Sequence, residues 1–199
     1  MIHLIRDPRD RYEASKSKHP NGKGKIGAAT ARWKLTTQLA RRNLITHPDH
    51  YMIIQYETLV THPEQILKEV CNFLEENFSS EMLEMSGAPE FREKILRGAY
   101  GNSGSRLIST EFIGRYKKAL TKEEIKFMQQ FVGKTMKIYG YQLEKIMLSS
   151  SEKLAYYTNE FPDKWMRFIS WLIIEKAKRL LPERFGKTTP KDKSKLVHV

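Results

Sequence analysis

The chain has 199 residues, 40% hydrophobic and 29% charged, a globular balance that excludes bulk disorder. No run approaches the ~20 apolar residues of a membrane-spanning helix, and Met1–Ile5 is too short for a signal-peptide core before Arg6 and Asp7 end it. Thirty-five basic residues against 23 acidic ones give a formal charge of +12. That excess favours nucleic acid, an acidic membrane surface or a phosphorylated small molecule as partner, against the plain alternative of a merely basic surface.

Met1–Ile5 reads as a short buried strand. Asp7 is placed to cap a helix, Pro8 suits its first position, and Asp10 stands where a capping box puts an acid. Arg6 then lies at the carboxyl end of a strand and beside a helix N-terminus, where open α/β sheets bind ligands and helices favour anions. Residues 17–27 read as an exposed loop. A helix is predicted from Gly27 to Ile45, with Ala28, Ala31, Leu35 and Leu39 on its apolar face and Trp33 elsewhere. Tyr51–Tyr56 reads as a second strand. Thr61 and Glu64 form a capping box for a helix that buries Ile66, Leu67, Val70, Phe73 and Leu74. Cys71 lies near that face and reads as a packed thiol. As the single cysteine it excludes an intramolecular disulfide and fits a reducing, cytoplasmic setting.

Residues 79–99 read as short helices and loops, and 100–112 as an irregular Gly/Ser loop. A second capping box, Thr121 and Glu124, opens a helix lined by Ile125, Met128, Phe131, Val132 and Met136 and stopped at Gly140. The last helix, Phe161–Leu181, sets Trp165, Phe168, Ile169, Leu172 and Ile173 on one face. It either packs on the domain or lies on an acidic membrane surface. Clustering of Lys176, Lys178 and Arg179 at one end weakens the second reading. The tail with Lys187, Lys191, Lys193 and Lys195 is predicted to be disordered.

Three clusters carry candidate chemistry: Arg6–Lys18, Gln55–Leu59 and Ser109–Lys118. Guanidinium, hydroxyl and ammonium groups near a helix start suit a phosphate. A tyrosine at a strand end can meet a flat base, and a Gly-Arg-Tyr-Lys loop can close over the same anion. Each cluster alone is equally well a structural feature.

In this order, Ile2–Lys18, Tyr51–Leu74 and Ile108–Leu120 resemble the C-terminal part of sulfotransferases that use 3′-phosphoadenosine 5′-phosphosulfate (PAPS). The resemblance is to the broad bacterial family related to tyrosylprotein sulfotransferases, and Gly87–Phe91 and Tyr139–Tyr141 add to it. It implies an α/β fold with a P-loop-kinase-like parallel sheet, flanking helices and a helix-rich C-terminal part. By the family pattern Arg6 holds the donor's 3′-phosphate, Lys18 is a second basic contact, Tyr56 meets adenine, and Arg115, with Ser109, belongs to the loop covering the nucleotide. The family's serine for the 3′-phosphate falls eight residues after the arginine, where this chain has Ala14; Ser15, one residue later and about 100° round a helix, is the candidate for that contact.

The family's Gly-Thr-Thr-like turn for the 5′-phosphosulfate has no counterpart, since Asn21–Lys25 follows no strand and reads as a flexible loop. No catalytic residue is assigned, and His3, alternating with Ile2 and Leu4, reads as a core or edge histidine in preference to a base. The expectation is therefore a truncated or mis-started enzyme lacking ~100 N-terminal residues, judged by ordinary domain size. Residues 1–145 would be the C-terminal part of the sulfotransferase-like domain, 146–185 a helical extension and 186–199 the basic tail. No metal and no specific nucleic acid is expected; the acceptor, whether glycan, lipid, protein or small molecule, is not legible. A catalytically inactive nucleotide-binding fragment, a nucleic-acid module and a peripheral membrane protein held through residues 161–181 are the alternatives.

Overall fold

The computed structural model describes residues 1–18, 25–83 and 110–180. Two short strands, β1 (Ile2–Ile5) and β2 (Met52–Gln55), pair in parallel with Ile2 opposite Met52 and Ile5 opposite Gln55. Between them run α1 (Pro8–Lys18) and α2 (Ile26–Thr46), the crossover that parallel strands require. After β2 come α3 (Tyr56–Thr61) and α4 (Pro63–Leu74), then a 3₁₀ turn at Ser80–Leu83. The remainder is helical: α5 (Tyr116–Ala119), α6 (Lys122–Ile138), α7 (Ser150–Ala155) and α8 (Phe161–Leu180), the last two joined by a π turn. This helix-rich chain with a parallel strand pair is compatible with the α/β class. No described helix is long and apolar enough to cross a membrane.

β1 is less buried than its sequence implies. Only Ile5 is fully buried and Leu4 is 52% exposed, because among the described residues β1 has one strand partner. Helices at 17–18 and 26–27 also shorten the expected loop. Residues 84–109 and 181–199, including Gly87–Phe91, most of the Gly/Ser loop and the basic tail, lie outside the described residues.

One core joins the start of the chain to its end. Ile5, Tyr12, Ile26 and Trp33 share it with Phe127, Met128, Val132 and Met136 of α6, and with Leu148, Tyr156 and Phe168. In α2 the buried side is Ile26, Gly27, Thr30, Ala31, Trp33, Thr37 and Ala40, so Ala31 is buried as expected, Ala28, Leu35 and Leu39 are only half-buried, and Trp33 faces inward, contrary to the expectation. The reason is tertiary: the Trp33 indole donates to the Arg6 carbonyl and meets the Tyr139 ring edge-on. Separately, α8 lies against the start of α2 so closely that a Cβ on Gly27 would sit 2.0 Å from the Lys164 carbonyl oxygen. That contact also confirms the packed alternative for the last helix, with Phe168 buried inside. Trp165 and Ile173, expected on the same face, are 45% and 61% exposed.

The capping predictions divide. Thr121 and Glu124 form the full box, each side chain taking the other residue's amide, and Gly140 follows at φ +74°. Thr61 and Glu64 do not: His62 precedes α4, Thr61 Oγ1 donates to the Glu57 carbonyl, and Glu64 pairs with Lys68. At α1, Asp7 Oδ1 accepts the Arg9 amide as expected, at 2.8 Å. Asp10, however, does not return a bond to Asp7, whose amide donates to Glu57 Oε1 at 2.8 Å. Leu74 is half exposed, while Cys71 is buried against Met82 as expected of a packed thiol.

Candidate functional site

The strand register builds the site. Ile5 is opposite Gln55, so the next residues, Arg6 and Tyr56, leave adjacent parallel strands side by side at their carboxyl ends. The Arg6 guanidinium lies 4.5 Å from the centre of the Tyr56 ring, a cation–π contact. Its Nη2 donates to the Phe112 carbonyl at 2.7 Å, and Trp33 Nε1 donates to the Arg6 carbonyl at 2.9 Å. Arg6 Nε is buried and has no hydrogen-bond partner among the described residues. Burial raises the Tyr56 phenol pKa; Arg6 opposes that shift and Glu57 and Asp10 add to it. The phenol therefore remains a neutral donor at pH 7.

Helix α1 is charged on its buried side. Arg9 is 2% exposed and bonds Asp7 through Nε and Nη2, the latter at 2.6 Å. Its guanidinium also lies 4.2 Å over the Tyr116 ring, and Tyr116 donates its hydroxyl to Glu144 at 2.7 Å. That bond holds the Glu144 carboxyl below its ordinary pKa. Asp10 accepts the amides of Gly114 and Tyr116 at 2.7 and 2.9 Å. Arg115 between them has its Nη2 3.6 Å from Glu13 and its guanidinium 5.3 Å from the Phe112 ring. Arg6 and Arg115 thus both contact Phe112, one at its carbonyl and the other at its ring. Asp7 caps the start of α1 by accepting the Arg9 amide.

A cleft of ≈ 300 Å³ runs along β1, walled by His3, Leu4, Arg6, Arg11 and Trp33. His3 stacks on Tyr51 and its Nδ1 lies 3.1 Å from the Tyr51 hydroxyl. Burial first, and then Arg11, lower its pKa. This is the behaviour of an edge histidine with a partner.

The family comparison bears on the first strand through Ser80: residues 1–80 match the sulfotransferase family. This supports assigning the chain to sulfotransferases. No curated protein and no solved structure matches the chain.

The sulfotransferase segment holds Arg6 and Tyr56, which the fold brings into contact. Arg115 lies outside the segment and joins it through Glu13 and Phe112. Ser15 is exposed on α1. Lys18 ends α1, but its side chain, like the whole of Ser109, lies outside the described residues. Sequence reasoning missed Asp10, Glu13 and Glu57, which organise the site from behind. A usable signal was present: two acids three residues apart in one motif and a Gly-Arg-Tyr in another, so that opposite charges awaited pairing.

Proposed function

We propose that the chain forms the nucleotide-anchoring part of a PAPS-dependent sulfotransferase acting on a hydroxyl or amine acceptor. The observation that carries this reading is the Arg6 Nε: a buried guanidinium donor without a partner among the described residues, over an aromatic ring, within the family-matched segment. A buried donor left unpaired is costly, and a phosphate oxygen is a fitting acceptor for it. When bound, the donor supplies the activated sulfonate. Arg6 and Arg115 would hold its 3′-phosphate, and Tyr56 would meet the adenine. Such contacts are remote from the reacting sulfur and act by keeping the donor in register. The parallel pair β1–β2 with its helical crossover is in keeping with a P-loop-kinase-like sheet.

The test is thermal unfolding with adenosine 3′,5′-bisphosphate and with 5′-AMP as control. A ligand that binds only the folded state raises the midpoint. The bisphosphate is expected to stabilise the chain more than 5′-AMP does. Arg6→Ala is expected to remove the excess, weakening affinity at least tenfold for the loss of one charge-assisted contact of about 1.5–3 kcal/mol. Equal shifts from the two nucleotides would overturn the 3′-phosphate site.

A second reading concerns α8, where Trp165, Met166, Ile173 and Leu180 are exposed in a basic protein. We propose that this side contacts an acidic membrane surface. Co-sedimentation with anionic vesicles, lost in Trp165→Ser/Ile173→Ser, would support it, and absence of binding at low salt would end it.

A further inference from the structure

Asp10 occupies a capping-box position but is 1% exposed and bonds across 104 residues of sequence to Gly114. Its two carboxylate oxygens take the amides of Gly114 and Tyr116, the neighbours of Arg115 on either side. Gly114 sits at φ +74°, a conformation that disfavours any residue with a Cβ. The turn is gripped further along by Arg9 over the Tyr116 ring and by Glu144 on the Tyr116 hydroxyl. Glu13, with a side chain only 6% exposed, draws on the Arg115 guanidinium, whose side chain is 47% exposed. Everything around Arg115 is therefore fixed, while its own charged end stays accessible.

We propose that Asp10 is a positioning residue for Arg115: it fixes the Gly114–Tyr116 backbone so that this guanidinium is preorganised toward a nucleotide 3′-phosphate. The inference rests on the nucleotide reading of the site. It accounts for an otherwise unfavourable arrangement, two buried carboxylates on the helix behind an anion site. Asp10's charge is taken up by two amides and Glu13's by Arg115, so neither faces the phosphate uncompensated. Fixing the loop before binding removes an ordering cost that the ligand would otherwise bear.

The experiment is titration calorimetry of the full chain with adenosine 3′,5′-bisphosphate and 5′-AMP, for wild type, Asp10→Asn, Arg115→Ala and the double variant. In Asp10→Asn one NH₂ group would confront a backbone N–H. Affinity for the bisphosphate is expected to fall about tenfold with that for 5′-AMP unchanged, and the double variant to bind about as Arg115→Ala does. Amide exchange is expected to show protection of Gly114 and Tyr116 lost in Asp10→Asn while α6 stays protected. Gly114→Ala strains the same turn from the loop side and, should Asp10→Asn not fold, is expected to give the same selective loss. Wild-type affinity in both Asp10→Asn and Gly114→Ala, equal losses for both nucleotides, or full additivity with Arg115→Ala would each overturn the positioning role. A wild-type chain with no preference for the bisphosphate over 5′-AMP would instead overturn the nucleotide reading, and the positioning role with it.

Discussion

Around Phe127 the interior is made of rings, with Phe131, Phe161 and Phe168 at centroid distances of 4.8, 5.9 and 6.4 Å. Behind Arg6 the interior is made of ions: Asp7, which caps α1, and Arg9, Asp10 and Glu13 on it are all buried. Phe127 and Phe168 are buried while Phe131 and Phe161 are half-buried, and the two regions do different work. Ring packing is non-directional and grows with the apolar area removed from water. It binds α6 and α8 together but leaves orientation loosely specified. The ionic corner contributes little net stability, because desolvation offsets most of the attraction. It does fix direction, and the Gly114–Tyr116 turn is what it directs. The stabilising region and the orienting region are thus separate, and substitutions in them should have separable effects.

The largest separation is expected from Phe168→Ala. Loss of this 3% exposed ring should lower unfolding free energy by about 4 kcal/mol in urea titrations, with nucleotide affinity of the folded protein unchanged. A marked affinity loss would mean that the two regions are coupled. Gly27→Ala comes next. Alanine in a helix ordinarily gains about 1 kcal/mol over glycine, but here the new Cβ would meet the Lys164 carbonyl oxygen at 2.0 Å. The clash should win, at a net cost of about 3 kcal/mol, with α8 loosened from α2.

Tyr116→Phe should be smaller, about 1 kcal/mol for one hydrogen bond. It should also raise the Glu144 pKa, since that bond is the first cause of its lowering. NMR titration of Glu144 would read this directly, and an unmoved pKa would remove Glu144 from the set of groups holding the turn. The smallest effect concerns His3. Its folded pKa lies below its ordinary 6.5, so the unfolded chain binds the extra proton first. Stability should therefore be complete above about pH 6.5 and fall as pH drops through the folded pKa. His3→Gln should flatten that acid slope; an unchanged slope would assign it to other groups.

Much of the fold was legible. The Thr121 box, the Gly140 stop and the ends of α2 and α8 follow from local chemistry, because caps and periodicity act within a few residues. The Asp10 box failed since a carboxylate that can cap locally can also bond at long range, and the turn at Gly114 offered two amides for one. The inward turn of Trp33 was not legible, because the periodicity of α2 shows which faces are apolar, not that Arg6 and Tyr139 lie against this one. Of the site, Arg6, Tyr56 and Arg115 were legible from the resemblance their motifs carry. Their contact was not, since it depends on pairing Ile5 with Gln55.

Local sequence thus determined the two strands, the Thr121 start and Gly140 stop of α6, the extents of α2 and α8 and the types of side chain at the strand ends, all set by interactions between near neighbours along the chain. Tertiary structure alone decided strand register, the inward face of α2 and the long-range partners of Asp10 and Glu13. Those depend on which surfaces meet, and burial rewards any mutually complementary pair of surfaces regardless of their separation in sequence.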